Sequence, residues 1–166
     1  MHLRNPYYAI IGLCLFFLVQ GSSAQERDFG LGVIVGEPTG ISAKLWTSST
    51  NALDFGFGWS VRGVRIGQYN SSNDGGILIH FHVDYLWHFF DVIHSAERVQ
   101  LYYGVGGRLN NGGGDNNALA IRSVFGAVWF PTDTPIEVFL ELVPTLQLKP
   151  STGFGLESGI GARYYF

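Results

Sequence analysis

Eight segments of this chain alternate apolar residues with small or polar ones, and a turn signal separates each from the next. They are FGLGVIVG (29–36), ISAKLWT (41–47), NALDFGFGWSV (51–61), ILIHFHVDYLWH (77–88), RVQLYYGVGGRL (98–109), ALAIRSVFGAVWF (118–130), IEVFLELVPTLQL (136–148) and GFGLESGIGARYYF (153–166). A period of two fits every one better than the helical 3.6, because successive strand side chains point to opposite faces. The breaks carry turn chemistry. EPTG sets Pro38 and Gly40 at the second and fourth places of a type I turn. SSTN, PTDTP and KPSTG are short, whereas 62–76 and 110–117 are longer and polar. No motif recurs at solenoid spacing and no linker interrupts the series, so it reads as one strand meander.

An even-numbered meander can close into a barrel, and composition indicates what surrounds it. Charged residues are 14 % of the chain, against roughly 25 % in a typical soluble domain. Aromatics are 15 % and glycines number 23. Beyond the N-terminus no apolar run reaches the length of a membrane-spanning helix. The net charge of -3 offers no basic surface for nucleic acid.

The N-terminus reads as a secretory signal, residues 1–24. Arg4 supplies the positive charge, Tyr7 to Val19 the apolar core, and Ser22 and Ala24 the small residues before a cut after Ala24. The only cysteine, Cys14, lies inside that core with Leu13 before it, which does not fit lipidation. The exported chain 25–166 then has no disulfide to stabilise it.

The two faces of the strands differ sharply. One carries Phe55, Phe57 and Trp59; Phe81, Val83 and Tyr85; Leu140 and Leu142; and Ile160, Ala162, Tyr164 and Phe166. The other holds most strand glycines and nearly all strand charges: Lys44, Arg108, Arg122 and Arg163 against Asp54, Asp84, Glu137, Glu141 and Glu157. A soluble lipocalin-like barrel would turn the bulky face inward. Glycines relieve crowding in a narrow lumen, and a near-balance of charge is what a closed ion-pair network requires. The bulky face is therefore expected to meet lipid, which predicts an all-β, eight-stranded antiparallel up-and-down transmembrane β-barrel. Trp87, Phe89, Trp129, Tyr164 and Phe166 are expected near the rim with the short turns, and Trp59 near the other.

GVIVGEPTGISAKLW, HFHVDYLWHFFDVI and LYYGVGGRL resemble a family of small, largely uncharacterised outer-membrane β-barrel proteins of Gram-negative bacteria and spirochaetes. The architecture is similar to the transmembrane domain of OmpA. Gly161, Tyr164 and Phe166 resemble the C-terminal signal read by the barrel-assembly machinery, with Gly159 where a polar residue is usual. The resemblance implies a location in the bacterial cell outer membrane. It also implies outer-membrane lipid, lipopolysaccharide and the assembly machinery as partners. It supplies no reaction.

HFHVD sets His80, His82 and Asp84 on one face of one segment. Such a row can serve as a hydrogen-bond ladder tied to Arg108 or Arg122, as a metal site, or as a proton-transfer pair. No further His or Cys on adjacent strands completes a metal site, and the outward Ser123 and Ser158 have no His beside them. The expectation is a monomeric, non-enzymatic barrel without cofactor or metal. Its lumen is plugged by these charges, and its role is structural or surface interaction. A lipid A deacylase or acyltransferase, or a narrow channel, is the alternative.

Overall fold

The structure is a computed structural model that describes residues 28–61, 77–89, 98–111 and 117–166. The expected export signal and the 62–76 connection lie outside the described residues. Eight strands occur among those described: β1 (Phe29–Gly36), β2 (Thr39–Trp46), β3 (Asn51–Val61), β4 (Ile77–Phe89), β5 (Arg98–Asn111), β6 (Ala118–Phe130), β7 (Ile136–Lys149) and β8 (Gly153–Tyr165). Each pairs antiparallel with its sequence neighbours, and β8 pairs with β1 from Gly30↔Tyr165 to Gly36↔Gly159. The sheet is a closed up-and-down barrel. Closure leaves no strand edge for another chain to extend.

Two connections are tighter than the sequence suggests. Thr39 already pairs with Trp59 and Gly40 with Gly58, so the type I turn over EPTG does not form. The loop is only Glu37 and Pro38, and the Thr39 hydroxyl closes it by donating to the Gly36 carbonyl at 2.9 Å. Asn110 pairs with Ala118 and Asn111 with Ile79, so β5 runs two residues further than its apolar pattern. The β6–β7 ladder shifts register between Leu119 and Ala120. It also has no pairing opposite Pro144, whose ring nitrogen has no hydrogen to donate.

The alternation sorts the side chains by size and charge. Outward positions hold large apolar groups left exposed on all eight strands, among them Val33, Ile41, Phe57, Ile79, Leu109, Phe125, Leu140 and Phe154. Trp87 and Phe89 both stack on Tyr103 with ring centroids 5.3 Å apart, on the outer face near the chain's short turns. Inward positions hold a small apolar cluster of Ile34, Leu86, Tyr102, Val124, Val128, Phe139 and Val143. All the strand charges singled out above are buried beside it. Glycine makes the room. A Cβ on Gly56 would sit 2.1 Å from the His82 ring, and one on Gly106 would sit 2.0 Å from Asp84 Oδ1.

Candidate functional site

The lumen is the place where this fold concentrates chemistry. Lys44, Asp54, Asp84, Arg108, Arg122, Glu137, Glu141, Glu157 and Arg163 are each less than a tenth exposed. Taking nine charges out of water is costly, and only mutual pairing and hydrogen bonding offset it. Pairing here runs between walls of the barrel as well as along them.

One tier lies toward the end with the short turns. Arg163 on β8 ion-pairs with Glu137 on β7 and with Asp54 on β3. Its Nε and Nη2 also donate to the Ser42 hydroxyl at 2.9 and 2.6 Å. Lys44 Nζ lies 2.9 Å from Glu137 Oε1, and the Tyr165 hydroxyl donates to Glu137 Oε2 at 2.6 Å. Trp46 Nε1 donates in turn to the Tyr165 oxygen at 3.1 Å. The Lys44 ammonium sits 5.1 Å from the Tyr102 ring centroid and 5.6 Å from that of Trp46. His88 packs between those two rings, at 4.4 Å from Trp46 and 5.0 Å from Tyr102. The guanidinium of Arg163 lies 3.9 Å over the Phe139 ring, a cation–π contact of the desolvated kind. Aromatic side chains thus floor the charged tier.

The second tier is built around Arg122. Its Nε donates to both oxygens of Asp84, at 3.2 and 3.1 Å, and its Nη1 donates to Glu157 Oε2 at 2.8 Å. Arg108 pairs with the other oxygen of Glu157. Arg122 and Asp84 are on β6 and β4, which share no ladder but both stand opposite Gly106 of β5, so this bond reaches over that glycine.

Glu141 and the histidines complete the polar lining. Glu141 accepts a hydrogen bond of 2.7 Å from the Tyr102 hydroxyl. His80 Nε2 and His82 Nδ1 are 2.8 Å apart, so one ring N–H donates to the other. His82 Nε2 faces two carboxylates, 3.9 Å from Asp54 Oδ2 and 3.9 Å from Asp84 Oδ2. Asp54 and Asp84 are direct cross-strand partners. The HFHVD row therefore does not reach the arginines as a single ladder: Asp84 holds Arg122, while the imidazoles hold each other.

The structure brings together every lumen residue named from the sequence and adds Ser42, Trp46, His88, Tyr102 and Tyr165 to them. The period-2 phase of their strands marks these five as inward, but an aromatic near a strand end reads equally well as a rim residue. Of the three residues compared with an assembly signal, Tyr164 and Phe166 face outward with ring centroids 5.1 Å apart. Gly161 faces inward beneath Phe139, where a Cβ would lie 2.3 Å from the ring.

No family model matches this chain, no curated protein matches it, and no solved structure matches it.

Proposed function

We propose that this chain is an integral β-barrel of a bacterial outer membrane, a monomer with a plugged lumen whose role is structural or surface interaction. One observation carries the reading: the barrel is inside-out. Large apolar side chains stay exposed around all eight strands, while the charges lie inside. A monomer in water rarely exposes apolar patches larger than a few hundred Å². Lipid removes that cost, and a closed ladder leaves no backbone group unpaired in hydrocarbon. The strands of 11 to 14 residues from β3 to β8 meet the roughly 9–11 residues that a tilted strand needs to span a bilayer.

The partners that follow are outer-membrane lipid, lipopolysaccharide and the machinery that inserts barrels. The resemblance seen in GVIVGEPTGISAKLW and HFHVDYLWHFFDVI, with Gly161, Tyr164 and Phe166 as the assembly signal, supports the same compartment. The lumen supports a plug, since two charged tiers and an aromatic floor fill it. Lipid-modifying chemistry is disfavoured by geometry: His80 and His82 are buried inside, away from the outer face where an acyl chain would lie.

The test is expression with a fractionation of the envelope. The protein should sediment with outer membranes, resist extraction by carbonate or urea, and migrate faster in gels before boiling than after. Recovery in the soluble fraction as a folded monomer would overturn the reading.

A further inference from the structure

Among the described residues the lumen holds five buried carboxylates against four buried cations, and the surplus is local. Glu137 is shared by Lys44 and Arg163, and Glu157 by Arg108 and Arg122. Asp54 and Asp84 have only the remaining share of Arg163 and Arg122. Glu141 is hydrogen-bonded by a neutral phenol. Two of these carboxylates, Asp54 and Asp84, stand directly opposite each other. Like charges so placed destabilise a strand pair.

His82 faces that pair. Its Nε2 stands equally far from one oxygen of each aspartate, and 3.9 Å is too long for a hydrogen bond to either. Asp54, His82 and Asp84 each offer one ligand atom, and all three atoms lie within 4.8 Å of one another. Zinc binds nitrogen and carboxylate oxygen at roughly 2.0–2.2 Å, so its ligand atoms stand roughly 3–4 Å apart. The surroundings also suit a ligand histidine. Such a histidine donates its other ring N–H to a neighbour, and His82 Nδ1 lies 2.8 Å from His80 Nε2. Arg122 donates to both Asp84 oxygens, Oδ2 included, and Arg163 to Asp54 Oδ1, and these bonds hold the orientation of the two carboxylates.

We propose that Asp54, His82 and Asp84 form a site for one divalent transition-metal ion of the zinc class. The ion joins β3 to β4 from inside the barrel and offsets the surplus of buried carboxylate. A site walled in this way loads as the barrel folds rather than afterwards. The inference does not rest on the membrane reading, because the site lies inside the barrel whatever surrounds it.

The test refolds the full chain into detergent with and without zinc sulfate, removes loose metal by gel filtration, and counts the bound metal by mass spectrometry. One zinc ion per chain and a raised melting temperature are expected. His82→Gln should bind zinc at least about tenfold more weakly while keeping the circular dichroism of a folded barrel. Refolding with cobalt gives a second readout, a visible ligand-field band in the wild type. That measurement decides the matter even where His82→Gln fails to fold. Folded wild-type protein with no zinc above buffer and no cobalt band would overturn the proposal, as would full zinc retention by folded His82→Gln.

Discussion

Arg122 Nε donates to both carboxylate oxygens of Asp84 over Gly106 of β5, at 3.2 and 3.1 Å, although their strands β6 and β4 share no ladder. The pair ties β6 to β4 along the inner wall. Removing the arginine strands Asp84, and leaves Glu157, which accepts from the same guanidinium at 2.8 Å, with Arg108 alone. Arg122→Ala should lose about 3–5 kcal/mol, read from urea unfolding of the refolded barrel. A loss below about 1 kcal/mol, the worth of an exposed pair, would mean that water fills the lumen.

The hydroxyl of Tyr102 is the hydrogen bond that Glu141 receives, at 2.7 Å. Tyr102→Phe keeps the ring beneath Lys44 and removes only the donor. The expected cost is about 1.5–3 kcal/mol, that of a hydrogen bond to a charged group. The same unfolding series checks it. A change within 0.5 kcal/mol, about that of a neutral surface substitution, would place Glu141 in contact with water.

Gly106 and Gly107 are adjacent and face opposite sides. A Cβ on Gly106 would lie 2.0 Å from Asp84 Oδ1 and 2.2 Å from the Val83 carbonyl, whereas one on Gly107 would meet nothing nearer than 3.9 Å. Gly106→Ala must push a backbone strand aside and should fold poorly. Gly107→Ala should fold as the wild type does. The comparison is refolded yield under identical conditions, and equal yields would contradict the inward packing of β5.

Ion flow tests the plug. Both charged tiers and the Trp46, His88 and Tyr102 floor lie in the path along the axis. Wild-type protein in planar bilayers should give no stable open conductance, and Arg122→Ala should raise the leak. A steady wild-type channel would assign the protein to transport instead.

Much of this fold was legible because strand period fixes a face. The bounds of β1, β3 and β6 coincide with their apolar patterns, and the inward phase of Asp54, His82, Arg122 and Glu137 follows from counting by twos. Register was not legible. Asp54 stands opposite Asp84 only because β3 and β4 pair Val61 with Ile77 across the 62–76 connection, whose length sets no register. That pairing is what adds Asp54 to the HFHVD row. The bond from Arg122 to Asp84 depends on the β4–β5 and β5–β6 registers, which set both residues opposite Gly106 and which no single strand encodes. Trp46 was obscured for another reason: it is an aromatic near a strand end, as rim residues are, yet it bonds Tyr165 inside at 3.1 Å.

The central claim is that the apolar outer face meets lipid while the polar face is shut away. Trp59 is half exposed on the outside, and Trp46 is hydrogen-bonded inside. The direct measurement is fluorescence quenching by brominated acyl chains in two refolded variants, one retaining only Trp59 and the other only Trp46. Strong quenching of Trp59 with little effect on Trp46 is the predicted result. Quenching of Trp46 with Trp59 untouched, in folded protein, would contradict the inside-out barrel.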